Sequence, residues 1–165
     1  MTYRLLVTVP FALAIGTSSA AAQATPPSFD IAALQLAVSE LRAADSLVTR
    51  QGVLHPLPGR RFVVATLRGE AMNDGRLITT PTLFAAQIEQ RLVPARAFGF
   101  VTARETQTNW VVRPDGDPSD APMFTAILRR GPVQVQVLFE VPANVTTLQV
   151  ALPARASGIT TIGTP

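Results

Sequence analysis

Apolar and polar positions alternate most clearly late in the chain. Between Val133 and Val141, Val133, Val135, Val137, Phe139 and Val141 fall on one side of an extended backbone, and Gln134, Gln136, Leu138 and Glu140 fall on the other. That period of two predicts a β-strand with one buried face. The stretch from Arg61 to Ala71 is apolar and β-branched on both parities at its centre. Such a pattern predicts a strand packed on one face and partly covered on the other, and Asn73-Asp74-Gly75 ends it with turn chemistry. After Pro142-Ala143-Asn144 the alternation resumes at Leu148, Val150 and Leu152. Arg130-Gly131-Pro132 joins Met123–Arg129 to the Val133 strand, so those two segments are expected to form a hairpin.

Shorter β-type runs occupy Leu83–Ile88, Ala97–Thr102 and Asn109–Val112, and the tail Ala154–Pro165 either adds a last strand near Ile159–Ile162 or frays. Many short strands punctuated by Gly and Pro predict an all-β sandwich or barrel. One segment carries two periods at once. Ile31, Leu34, Val38, Leu41 and Val48 recur at helical spacing among alanines, whereas Leu34, Leu36 and Val38 alternate as a strand would. Residue propensity alone favours helix there.

The first twenty-four residues follow the order of a secretory signal peptide: a charge at Arg4, an apolar run from Leu5 to Gly16, then small residues. Ala22-Gln23-Ala24 is the preferred cleavage signal, with Thr25 as the first mature residue; Ala20-Ala21-Ala22 also satisfies the small-x-small rule. The apolar run is shorter than the roughly 20 residues a bilayer requires and contains Pro10, so no stable membrane span is expected after cleavage. The expected organisation is a signal peptide over 1–24, a linker over 25–33, a β-domain over 34–153 and a tail or last strand over 154–165. The expected location is the periplasm or the extracellular space.

Composition removes many chemistries. The 165 residues contain no cysteine, which excludes disulfides, thiolate nucleophiles, iron–sulfur clusters and zinc ribbons. There is no lysine, which excludes the phosphate-loop lysine and Schiff-base catalysis, and one histidine, which excludes multi-histidine metal sites. The net charge of +3 is small, and no dense basic stripe interleaved with aromatics is present, so nucleic acid is not an expected partner.

The order of features resembles a family of secreted bacterial immunoglobulin-like domains, grouped with the mycobacterial immunoprotective extracellular protein. Leu36-Ala37-Val38-Ser39 matches a first strand and Pro58-Gly59-Arg60-Arg61-Phe62-Val63-Val64 a glycine turn entering a long central strand. Val137-Leu138-Phe139-Glu140-Val141-Pro142 matches the strand before the last. The resemblance covers about residues 34–153 and implies an immunoglobulin-like antiparallel β-sandwich of about 7–8 strands, with a strand over 34–40. It implies no catalytic residues. The chain departs from antibody-type domains in having no cysteine pair, and its single tyrosine, Tyr3, leaves no tyrosine corner.

Candidate chemistry is sparse. His55 lies in His-Pro-Leu-Pro-Gly, a turn before the Phe62 strand; as a base it requires a nucleophile and an orienting carboxylate. Asp115, Asp117 and Asp120 concentrate oxygen ligands suited to calcium, without the spacing of an EF-hand loop. Glu40, Glu70, Glu89, Glu105 and Glu140 supply candidates for a glycosidase-type pair. The paired arginines Arg60-Arg61 and Arg129-Arg130 offer a cationic rim or edge protection. Thr106, Gln107, Thr108 and Asn109 beside Trp110 form the candidate partner surface. The favoured expectation is an exported, non-enzymatic binding or structural module, with no cofactor, whose partner is an envelope protein or surface polymer. The alternatives are a small periplasmic hydrolase using His55 or a carboxylate pair, and a calcium-stabilised module.

Overall fold

A computed structural model describes residues 28–29, 34–101, 108–114, 122–151 and 159–161. The expected signal peptide, nearly all of the expected linker, most of the tail 154–165, Glu105, Thr106, Gln107, Asp115, Asp117 and Asp120 lie outside the described residues.

Those residues fold as an all-β structure. The strands are β1 (Ser28–Phe29), β2 (Ala37–Ala44), β3 (Leu47–Thr49), β4 (Gly52–Leu54), β5 (Arg60–Ala71), β6 (Gly75–Thr79) and β7 (Ala85–Ile88). They continue with β8 (Arg91–Pro94), β9 (Ala97–Val101), β10 (Asn109–Val112), β11 (Phe124–Leu128), β12 (Gly131–Pro142), β13 (Thr147–Ala151) and β14 (Ile159–Thr161). A central five-stranded sheet has the order β10-β9-β12-β5-β2. A three-stranded sheet runs β1-β6-β11, a four-stranded sheet β14-β13-β7-β8, and β3-β4 forms a separate hairpin. All pairings are antiparallel except β1 with β6. The strand count exceeds the expected seven or eight because short strands, among them β3, β4 and β8, occupy stretches that read as connections.

The two strongest sequence signals sit at the middle of the central sheet, where β5 and β12 pair in register from Ala71 opposite Gly131 to Arg60 opposite Pro142. Odd-numbered residues along their middle, Val63, Ala65, Leu67, Val135, Val137 and Phe139, are fully buried. These side chains join Leu77 of β6, Ala86 of β7, and Leu148 and Val150 of β13 in one apolar cluster. Four phenylalanines pack within it: Phe98 stacks on Phe84 at 5.2 Å and meets Phe100 and Phe124 edge-on at 5.1 and 5.7 Å, while Phe100 stacks on Phe124. Such contacts add about 0.5–1.5 kcal/mol each to plain area burial.

The other face of β5 is also covered, but only at one end. Phe62, Val64, Ala97 and Leu138 pack with Leu47 of the β3-β4 hairpin in a second, smaller cluster. This explains why β5 is apolar on both parities.

Two turns show how residue type sets the route. Arg60 donates its N–H to the Leu57 carbonyl at 2.9 Å across Pro58-Gly59, with Gly59 at φ +75°. Pro followed by a positive-φ glycine is the requirement of a type II turn, and it launches β5. At Gly69 the backbone of the preceding segment approaches closely: a Cβ there would lie 2.3 Å from the Leu34 carbonyl oxygen. Leu34 itself is fully buried.

The structure decides one open segment and corrects one expectation. The segment around 31–48, which carries both periods and for which the resemblance implies a strand over 34–40, is mainly extended where described: Leu34 has 3-10 geometry, β2 spans Ala37–Ala44 and β3 spans Leu47–Thr49. Val38 and Leu41 face the main core from β2, and a bulge between Val38 and Glu40 shifts the parity, giving the three-residue spacing that mimics a helix. The expected hairpin of β11 with β12 does not form. β11 pairs with β6 instead, turning Phe124, Ala126 and Leu128 into the main core, and Asp74 ties its end: its Oδ2 accepts from Arg129 Nη1 at 2.7 Å and its Oδ1 from the Arg130 N–H at 2.8 Å. Gly131, at φ +129°, then redirects the chain into the central sheet.

Candidate functional site

The outer face of the central sheet divides into two halves. One is covered by the β3-β4 hairpin. The other is open and follows from the polar parity of the same strands. Register sets Trp110 beside Gly99, Gly99 beside Gln136, Gln136 beside Thr66, and Thr66 beside Glu40, one level across five strands. The next level carries Val101, Gln134, Arg68 and Ala37. With strands about 4.8 Å apart, this is an array of amide, carboxylate and guanidinium groups in which Arg68 and Glu40 are exposed, Gln134 and Gln136 half-buried and Thr66 buried.

Trp110 stands at the boundary, half-buried against the smaller core. Thr108 lies over Gly99, whose missing side chain leaves the space: a Cβ there would meet Thr108 Cγ2 at 2.4 Å. The Thr108 hydroxyl donates to Gln136 Oε1 at 2.6 Å, which fixes that amide. On the opposite flank Ser39, at the bulge, donates its hydroxyl to the Thr66 carbonyl at 3.0 Å. The structure therefore brings Thr108 and Trp110 of the expected partner surface to the edge of this face, whereas Asn109, level with Phe100, falls on the opposite parity of β10. Sequence reasoning did not join Gln134, Gln136, Arg68 or Glu40, the last considered only as a catalytic carboxylate, to that surface, because they lie distant in the chain; the even-position polarity of β12 was the available signal.

The other candidates are dispersed. His55 is exposed between β4 and β5. Glu40 lies level with Thr66, Glu140 level with Phe62, and Glu70 four residues along β5 from Thr66. Four strand residues span about 13 Å, beyond the roughly 5–9.5 Å of a glycosidase pair. Glu140 has a different task, accepting from the Leu57 N–H at 2.8 Å. Among the described residues, no group of three or more His, Cys, Asp or Glu is placed to hold a metal ion. The arginine pairs are engaged within the chain: Arg60 donates to the Glu140 carbonyl, Arg61 to the Val145 carbonyl, and Arg129 to Asp74.

An open groove of about 770 Å³ lies at the other end of the molecule's β12-β13 turn, lined by Arg60, Glu89, Arg91, Asn144, Val145 and Leu148 among others. Glu89 stands there at φ +54° in the two-residue turn that joins β7 to β8. Among the described residues no helix is long and apolar enough to cross a membrane. Comparison of the chain with protein-family models, with curated proteins and with solved structures returned no match.

Proposed function

We propose that the chain is an exported, non-enzymatic immunoglobulin-like β-sandwich that binds another component of the bacterial envelope through the open half of its central sheet. The observation that carries this reading is the polar array of Gln134, Gln136, Arg68 and Glu40 on one face of the central sheet, beside the half-buried ring of Trp110. An aromatic edge next to amides and mixed charges suits recognition of an extended, hydrogen-bonding partner, and each group is held on a strand rather than on a loop. The leader-like residues 1–24 support export. The wide separation of Glu40, Glu70 and Glu140, and the isolation of His55, support a binding role over hydrolysis.

The test is crosslinking of the protein in intact cells together with thermal unfolding against envelope polymers. A ligand of the folded state raises the melting temperature in proportion to RT ln(1 + [L]/Kd). Arg68→Ala and Gln134→Ala are expected to abolish the crosslink or the shift while leaving the unliganded melting temperature within about 2 °C, as surface substitutions do. Retention of the partner by both variants, or absence of any partner, refutes the proposal.

A further inference from the structure

The edges of the sheets are not equally protected. β2 carries Glu40, Arg42 and a bulge; β8 carries Arg91 and ends in Pro94; all four residues of β10 are partly buried. Charges, bulges and prolines are the devices that keep an edge strand from pairing with another chain. β11 has none of them. It is five uncharged residues, Phe-Thr-Ala-Ile-Leu, in unbroken register with β6 on one side. Among the described residues no strand lies on its other side. Phe124, Ala126 and Leu128 face the main core. Thr125 and Ile127 face outward, with Ile127 71% exposed and the preceding Met123 74% exposed.

We infer that β11 pairs with β11 of a second copy of this chain, antiparallel about Ala126, so that two three-stranded sheets become one of six strands. The sequence of the edge is complementary to itself in this register. Thr125 lies opposite Ile127 of the second copy, Phe124 opposite Leu128, and Met123 opposite Arg129. Met123 and Ile127 of different copies become diagonal neighbours, within reach of long side chains. The cationic ends do not meet. Arg129 of each copy stands six residues from its counterpart, about 20 Å along the strands and well beyond a Debye length of about 8 Å at physiological salt. A single five-residue edge is smaller than the roughly 1,200–2,000 Å² of a stable interface, so the dimer is a weak, concentration-dependent one. It leaves the open face of the central sheet free, so this pairing stands or falls independently of the function proposed above.

Analytical ultracentrifugation of the purified protein across a hundredfold concentration range tests the pairing. The expected result is a doubling of mass with concentration, abolished by Ile127→Lys and by Thr125→Lys but retained by Val48→Lys, an equally exposed position on the β3-β4 hairpin. The register has its own readout, because the native chain contains no cysteine. Thr125→Cys mixed with Ile127→Cys should form a disulfide-linked dimer on oxidation. Ile127→Cys alone should not, since its counterpart lies two residues away, beyond the roughly 7 Å between Cα atoms that a disulfide tolerates. A monomer at every concentration, a dimer that survives both lysine variants, one lost to Val48→Lys, or crosslinking by Ile127→Cys alone overturns the inference.

Discussion

Replacing Gly69 by alanine tests the central packing most directly. Gly69 lies on the inner face of β5 opposite Val133, and the backbone of residues 34–36 crosses directly above it. The added Cβ would stand 2.3 Å from the Leu34 carbonyl oxygen, 2.9 Å from Leu36 Cδ2 and 3.2 Å from Leu36 Cα. Ordinary contact begins near 3.4 Å, so the carbonyl must retreat by about 1 Å, and a backbone atom cannot swing aside as a side chain can. Two responses are open to the chain. It can absorb the overpacking at about 1–3 kcal/mol, or it can lift the 34–36 segment and expose Leu34, forfeiting about 1.5–3 kcal/mol of burial. Either route predicts a loss of about 2–3 kcal/mol, a large fraction of the roughly 5–15 kcal/mol that holds a domain together. Urea unfolding should show the midpoint falling by about 1 M or more at unchanged slope. Leu34→Ala in the same chain should reduce the further cost of Gly69→Ala, because the crossing segment is then held less firmly and the two changes are not additive. A cost below about 0.5 kcal/mol for Gly69→Ala, within the scatter of neutral surface changes, would refute the close approach.

Two further predictions concern single carboxylates. Asp74 is held below its ordinary value of 3.8, first by the Arg130 backbone N–H and then by the Arg129 guanidinium; a lowered pKa means that its contribution to stability is complete above 3.8 and is lost as pH falls through the lowered value. The melting temperature of the native protein should therefore exceed that of Asp74→Ala at neutral pH, with the gap narrowing only below 3.8; a gap that persists unchanged to about pH 2 sinks the assignment. Glu140 accepts from the Leu57 N–H, so Glu140→Ala should cost about 1 kcal/mol and Glu140→Gln, which keeps an acceptor, much less; equal costs by urea unfolding would show that charge rather than the hydrogen bond matters.

The strands legible in the sequence were those whose periodicity is set by one large core. Val133 to Val141 reads as a strand because every second residue enters the same apolar cluster, and the doubly apolar centre of β5 reports the second cluster beneath the hairpin. What could not be read was pairing. β11 precedes the Arg130-Gly131-Pro132 turn signal and reads as half of a hairpin, but it joins β6, and Asp74, more than fifty residues earlier, ties its end through Arg129 and Arg130. Nothing local to 123–133 carries that information. The bulge in β2 hid a strand behind helical spacing for the same kind of reason: the parity shift exists only relative to β5. At the candidate site, Trp110 and Thr108 were visible as an unusual polar-aromatic run, whereas Arg68 and Gln134 become neighbours only through the β5-β12 register.

That register also bears on how the molecule is made. Ala71 finds its partner at Gly131 and Arg60 at Pro142, separations of 60 and 82 residues along the chain. Closing loops of that length costs conformational entropy before any contact rewards it, and domains dominated by such distant pairings fold in about milliseconds to seconds rather than microseconds. β5 can pair with β2, which precedes it in the chain, but its other edge stays open until the last third of the chain supplies β12. The complete five-stranded sheet therefore cannot close around an incomplete polypeptide, and the export proposed above would profit from that order of events.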